Sequence, residues 1–503
     1  MRSLSTLCAV VPVCVYLAGC MVGPDFCPPP PPPTKAYTEK PMPKATVATQ
    51  GAGNPGKAQY FIAGRDIPGE WWELFHSPQI NALIDKGIVN NPNLAAAQAA
   101  LRQAQEALNV QIGNLLFPAV NASVSGERAR FSSLSFGATG PSTVLDVYNA
   151  GASVSYLVDV FGGSRRQVES YRAQVDYARY QLIATYLTLT SNIVTTAVTV
   201  ASLQAQVDAT RDLIRESENQ LAIVKKQYHL GGASLQNVFT QQTQVSVTRA
   251  LLPPLETSLA QSRHALAVLV GDLPSNSQLP PLTLDAFNLP AEIPIGIPSL
   301  LVRQRPDVQA AEAQLHSASA QIGVTTAALL PQLTLNGAYG WTAQTPSGLF
   351  NSINKVWSFG ANISQPLFHG GALLAQRRQA IAAFQQSQAL YKQAVLQAFK
   401  NVADSLRALE NDAREFKAQK EAEVSALSTY VLTKKQYRLG GVSYLTLLTA
   451  EQQYQQARVN RIKAQAARYA DSAALFAALG GGWWNKPQVT FTNPDCKQKE
   501  TTK

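Results

Sequence analysis

Along residues 164–229 apolar side chains return every third or fourth position, and no proline or glycine interrupts them. Ile183, Leu187, Thr190, Val194, Ala197 and Ala201 step by 4, 3, 4, 3 and 4, the spacing of a coiled-coil seam. Leu182, Tyr186, Leu189, Ile193 and Thr196 form a second seam beside it. Two adjacent seams predict a helix with neighbours on two sides, as in the wall of a helical cylinder; a plain antiparallel coiled coil usually carries one. At about 1.5 Å per residue the run spans roughly 100 Å. Further helical patterns cover 92–116, 235–270 (with an irregularity at Pro253-Pro254), 307–329, 372–439 and 443–479. These helices are poor in aromatic residues and rich in Ala, Gln, Ser and Thr, which suits close helix packing and a wet face.

A different period sits between them. Residues 119–131 and 152–161 alternate apolar with polar, as do 332–343 and 356–368. Leu333, Leu335, Gly337, Tyr339 and Trp341 point one way; Gln332, Thr334, Asn336 and Gly340 point mostly the other. Period two over these lengths fits a membrane-spanning barrel strand as well as a soluble hairpin. Tyr148, Tyr156, Tyr339, Trp341 and Trp357 lie near the strand ends, where an aromatic girdle belongs. Ser/Gly/Pro-rich loops at 132–144 and 344–354 join each pair. Four strands cannot close a barrel, and open edges are not tolerated in lipid. If the strands are in a membrane, several chains must pool them.

The pattern occurs twice. Residues 225–234 read KKQYHLGGAS and 434–443 read KKQYRLGGVS; NPNLAAAQAAL at 91–101 returns loosely as RPDVQAAEAQL at 305–315. The chain is therefore read as a tandem duplication: a first repeat at 71–282, a linker at 283–304, a second repeat at 305–480 and a tail at 481–503. Each Gly-Gly pair (Gly231-Gly232, Gly440-Gly441) supplies the left-handed backbone that ends one helix and turns into the next. Ser234 and Ser443 then cap the following helices.

The N-terminus sets the compartment. Arg2 precedes an apolar run from Leu4 to Leu17, too short to span a bilayer and right for an export signal. It ends Leu17-Ala18-Gly19-Cys20, a lipobox-like sequence after which Cys20 would be diacylated and become the mature N-terminus. By resemblance to bacterial lipoprotein sorting, Met21 rather than Asp after the cysteine favours the outer membrane. Residues 20–70 read as a Pro/Gly-rich tether, with Trp71-Trp72 and Phe75 opening the folded part. Gly51, Gly53 and Gly56 match a dinucleotide-loop spacing, but no strand precedes them and Pro55 sits where a helix should begin. Cys27 and Cys496 lie in opposite tails and are not expected to pair. Forty-two basic residues against 32 acidic ones are scattered rather than clustered, which argues against nucleic acid. No metal-ligand spacing, P-loop or catalytic motif appears, so the chain reads as neither an enzyme nor a cofactor protein.

Leu17-Ala18-Gly19-Cys20 with Gly23-Pro24-Asp25-Phe26, Trp71-Trp72, Asn91-Pro92 with Leu94 and Ala97, Arg305-Pro306-Asp307-Val308 with Ala311-Glu312, and the Gly-Gly turns together resemble the TolC family of outer-membrane efflux proteins. The resemblance is strongest to the NodT-like lipoprotein branch serving resistance-nodulation-division (RND) pumps. It implies an α+β membrane protein and a homotrimer. A twelve-stranded outer-membrane β-barrel, four strands per chain, would be continuous with a long periplasmic α-helical barrel and a mixed equatorial region. It implies a passive exit duct for drugs or other small toxic compounds, opened by a periplasmic membrane-fusion adaptor and driven by an inner-membrane RND pump. Cys20 would carry lipid, and Gly231, Gly232, Ser234, Gly440, Gly441 and Ser443 would form the periplasmic tip. Lys225, Tyr228, Lys434, Lys435, Tyr437 and Arg438 would line the gate or meet the adaptor. The family often narrows its tip with acidic rings. Here no Asp or Glu lies within two turns of either break, so a less acidic constriction is expected. A type I secretion duct and a pore-less lipid-anchored coiled-coil scaffold are the competing readings.

Overall fold

The computed structural model describes residues 21–34, 36–132, 139 and 141–486. Cys20 and Cys496 lie outside the described residues; Cys27 is a free, exposed thiol. The chain falls into two compact units, each drawing on both halves of the sequence. The first comprises the described residues of Met1–Pro29 with Ala100–Arg179 and Ala310–Lys392; the second comprises Pro30–Ala99, Tyr180–Gln309 and the described residues of Gln393–Lys503.

The first unit holds an antiparallel sheet of β2 (Ala119–Phe131), β3 (Thr143–Val158), β5 (Gln332–Ala343) and β6 (Lys355–Ser364), in the order β2-β3-β5-β6. β2 and β5 match their expected bounds. β3 corrects the expected 152–161: it starts at Thr143, because the ladder runs from Ala119↔Ser155 to Phe131↔Thr143. Asp146, Asn149 and Gly151 had disguised this stretch as loop. Tyr148 sits within the strand opposite Gly126, where a Cβ would meet the Tyr148 ring at 3.1 Å. β6 corrects 356–368: it ends at Ser364, and Pro366 beyond it has no N–H to continue the ladder.

The register gives the sheet two chemically distinct faces. Ser125, Asn149 and Thr342 fall on one row, with Asn149 donating to Ser125 and Thr342 to Asn149 at 3.4 and 2.9 Å. Ser155 and Asn336 bond on the same face at 2.9 Å. The opposite face carries Val120, Val124, Val154, Tyr339, Trp357, Phe359 and Ile363, all exposed. Arg128 and Asp146 pair at 3.6 Å on this face beyond the apolar band.

In the second unit the chain before Trp71 is folded, contrary to the tether expectation. β1 (Tyr60–Ala63) pairs in parallel with β4 (Glu292–Ile295), and Ala45 bridges to Tyr60. The cause lies in specific polar anchors rather than periodicity. Gln59 is fully buried and donates to Ser472 Oγ at 3.0 Å. Trp71 is fully buried and stacks on Phe476 at 5.5 Å, while Trp72 meets the Tyr186 ring edge-on at 6.3 Å.

The helices are α1 (Pro78–Asn90), α2 (Pro92–Leu116), α3 (Gly163–His229), α4 (Leu235–Ala250), α5 (Leu252–Leu269), α6 (Pro298–Gln304), α7 (Pro306–Ala327), α8 (Ala372–Arg438) and α9 (Tyr444–Ala478). α4 and α5 divide at Leu251, ahead of Pro253-Pro254, as the expected irregularity requires. Pro92 and Pro306 occupy first-turn positions, where a missing N–H costs nothing. Asn91 caps α2, its Oδ1 accepting from Asn93 N at 2.9 Å and Leu94 N at 3.3 Å. Both α3 seams are covered within the chain at Val194, Ala197, Leu189 and Ile193.

Candidate functional site

Two features follow from these elements: a pair of helix-turn tips in the second unit and the two-faced sheet in the first. At the α3 C-terminus Gly231 adopts φ 76°, and Gly232 N donates back to Gln227 O at 2.8 Å. At the α8 C-terminus Gly440 also adopts φ 76°, with Gly441 N donating to Gln436 O at 2.9 Å. Both are Schellman caps. Only the first glycine of each pair needs the left-handed conformation. Gly232 and Gly441 have ordinary φ, and a Cβ on either would meet its nearest atom at 3.6 or 3.5 Å.

Ser234 Oγ accepts from Asn237 N, and Ser443 Oγ from Thr446 N, each at 3.2 Å. These are N-caps with extended backbone. Ser234→Ala or Ser443→Ala is expected to destabilise its turn by about 1 kcal/mol. Hydrogen exchange should speed at the first turns of α4 or α9 and remain unchanged in the sheet.

The two turns pack together. Val224, Val238 and Tyr444 are buried as one cluster with Leu221, Ala233 and Tyr437. Tyr437 meets Tyr444 edge-on at 5.7 Å and donates to Gln227 Oε1 at 3.1 Å. Tyr437 is therefore a packing residue between the two turns.

No Asp or Glu lies within two turns of either break, and the acids that meet Lys434 and its neighbours come from farther along the helices. Glu216 comes from more than three turns up α3, and Lys434 Nζ bonds to its Oε1. Tyr430 donates to the same oxygen at 2.9 Å and stacks on Tyr454 at 6.0 Å. Glu451 is 3 % exposed and accepts from Ser217 Oγ at 3.2 Å. Lys434 is thus neutralised, whereas Lys225, Lys435 and Arg438 are exposed and form no ion pair among the described residues. Tyr228 is also exposed, near His229.

Burial raises Glu451. It opposes ionisation of Glu216 too, but hydrogen bonds from Lys434 and Tyr430 prevail and hold that carboxyl below its usual range. A depressed carboxyl stabilises the fold above its unfolded value of 4.5, and the contribution is lost as pH falls through the folded value. Lys434→Ala is therefore expected to weaken the tip by about 1 kcal/mol at pH 7, with the difference vanishing in acid. Unfolding curves at both pH values check this.

Sequence reasoning missed the apolar rim. Leu230 and Leu439 immediately precede the Gly-Gly pairs and are 78 % and 87 % exposed. Leu235, Phe239 and Leu445, early in the helices that follow the turns, are exposed too. The signal was the leucine repeated in both copies at a turn, where nothing within the chain requires burial.

The family described as "Outer membrane efflux protein" matches residues 83–272 and 297–481, once in each half. The chain is 30% identical over 445 residues to the pyoverdine export outer membrane protein OpmQ of Pseudomonas aeruginosa, covering 87% of this chain and 93% of that one. It is 28% identical over 478 residues to the cation efflux system protein CusC of Escherichia coli, covering 95% and 99%. Its fold matches the outer-membrane channel OprN with a TM-score of 0.80 at 26% identity, over 92% of this chain and all of that one. The Campylobacter jejuni CmeC outer membrane channel shares the fold with a TM-score of 0.82 at 21% identity, over 93% and 96%. The two-faced sheet, the paired helix turns and these matches lead to one conclusion: the chain belongs to the outer membrane efflux protein family and acts in the outer membrane as an efflux component.

Proposed function

We propose that the chain is the exit duct of a tripartite efflux pump, and that three copies pool four strands each into one twelve-stranded barrel. The observation that carries this reading is the sheet. β2 and β6 are edge strands, one face is polar and hydrogen-bonded, and the other is apolar and exposed. A lipid-facing apolar band around a polar lumen has this alternation. Unpaired edges in lipid require closure by further copies. The long helices α3 and α8 then line the periplasmic part of the duct.

Opening falls to a periplasmic membrane-fusion adaptor that meets the paired turns at Gly231–Ser234 and Gly440–Ser443. Exposed Leu230 and Leu439 offer apolar contact, ringed by Lys225, Tyr228, Lys435 and Arg438. An inner-membrane RND pump supplies the energy and selects the cargo, small toxic compounds including drugs. Cys20 carries the lipid that holds the mature N-terminus to the outer membrane.

Planar-bilayer conductance of cross-linked, detergent-extracted protein tests the duct. Small, long-lived steps with weak or anionic selectivity at low salt are expected, because the tip's unpaired charges are basic. A protein that remains monomeric, or folded trimers that never conduct even after Lys435 and Arg438 are replaced, would leave a pore-less scaffold.

A further inference from the structure

The first described residues are clamped rather than loose. Val22 N donates to Phe161 O at 3.0 Å. Arg166, only 1 % exposed at its side chain, donates from Nε to Val22 O at 3.2 Å and from Nη2 to Gly23 O at 3.3 Å. The same Nη2 reaches Asp25 Oδ1 at 2.6 Å, and Nη1 reaches Glu169 Oε2 at 2.8 Å. Glu169 Oε1 holds His316 Nε2 at 2.9 Å, and the Phe26 ring lies parallel to His316 at 4.4 Å. Gly23 has φ 93° and lies so close to the Gly323 backbone that a side chain has no room. Met21 rests against Gly162. A buried guanidinium with this many partners fixes residues 22–25 in place.

That fixed point borders a mostly apolar cleft of about 220 Å³. Leu115, Leu157, Val158, Phe161, Val324 and Ala328 line it, so Phe161 belongs both to the clamp and to the cleft wall. Asp159, also in the wall, is already satisfied by Ser164 N at 3.0 Å and Arg165 N at 2.9 Å. The cleft is open on one side, and an apolar guest laid along its wall would take that apolar surface out of water. It lies where β3 ends and β5 begins, at the Val158↔Leu333 pair, one end of the sheet's apolar face.

We propose that this cleft seats an acyl chain carried by Cys20. The inference rests on the lipidation read for Cys20. A chain tethered one residue from the clamp meets the cleft at high effective concentration, with almost no linker entropy to lose. Its methylenes leave water there as they do in a bilayer. The seat would hold the anchor at one height and register on the strand–helix junction.

The test feeds cells a diazirine fatty acid, irradiates intact outer membranes and maps adducts on the full-length protein by peptide mass. Adducts in peptides spanning 157–167 or 324–332 are expected. They should disappear in a Cys20→Ser chain exported by an ordinary cleavable signal, and in Val324→Trp or Ala328→Phe, which fill the cleft. Adducts confined to the outward strand face, or cleft adducts that persist in Cys20→Ser and so come from bilayer lipid, overturn the proposal. The mass of the N-terminal peptide reports acylation separately, so failure of the lipidation reading is distinguished from failure of the seat. A spin label on Cys27, with Cys496 replaced by serine, should be immobilised in the parent and mobile in Arg166→Met; equal mobility would sink the clamp.

Discussion

Phe359→Arg should prevent assembly in the outer membrane, while Ser358→Arg, one residue away, should leave it intact. The two positions sit mid-way along β6 on opposite faces, Phe359 opposite Gly337 and Ser358 opposite Ala338. Phe359 is 75 % exposed on the face shared with Val154, Tyr339 and Trp357. An arginine at the bilayer midplane on a lipid face costs about 2–4 kcal/mol. In the proposed barrel every copy would bear that cost, so the effect would multiply with the number of copies. At Ser358 the guanidinium would remain in water and shift ion selectivity instead. The check is the heat-modifiable, protease-resistant species in outer-membrane fractions. Normal assembly of Phe359→Arg together with failure of Ser358→Arg would reverse the assignment of the faces.

Arg468→Met should produce the largest loss of stability in the second unit. Arg468 is 1 % exposed, lies over the Phe416 ring at 5.7 Å, and donates to Pro55 O, to Lys57 O at 3.1 Å and to Gln59 Oε1 at 3.5 Å. It joins α9 to the segment that enters β1. It also lowers the Asp412 carboxyl, which burial and then the neighbouring Asp471 push up to about 8. Burial moves Arg468 itself the other way, down to about 10. Removing one partner from a buried charged network costs about 3–5 kcal/mol. Methionine keeps much of the volume, so the loss would report the hydrogen bonds and charge rather than a cavity.

The pH dependence has a defined sign. Between 3.8 and about 8 the folded state holds a proton on Asp412 that the unfolded chain releases, so stability falls as pH rises across that window. Without Arg468 the fall should extend above pH 8. Denaturant unfolding across pH, with hydrogen exchange at residues 54–63, reads both effects. An unchanged midpoint and unchanged protection of β1 would mean that this network does not hold the segment.

Elements governed by local periodicity were legible in the chain. The 67-residue helices Gly163–His229 and Ala372–Arg438 match the Pro/Gly-free runs almost residue for residue. Helix period and helix breakers act within a few residues of one another, so no distant partner is needed to read them. The same holds for the Schellman turns and the serine caps, and for β5, whose alternation is strong. β3 was half hidden, because Asp146, Asn149 and Gly151 are poor strand formers placed there by the ladder to β2.

Spatial neighbours decided the rest. Residues 45–63 carry no period, yet buried hydrogen bonds from Gln59 and Arg468 hold them to a helix some 400 positions away. Lys434 looked like a free tip base until the fold brought Glu216 to it across 218 positions. Short-range pattern was enough to read the repeated motifs, the helices, the turns and the alternation that marks a two-faced sheet. Which charges are cancelled, which glycine of each pair is indispensable and where residues 21–26 are held follow from the folded contacts. Periodicity is a short-range property of the chain, whereas ion pairing, burial and anchoring depend on distances that exist only after distant segments meet.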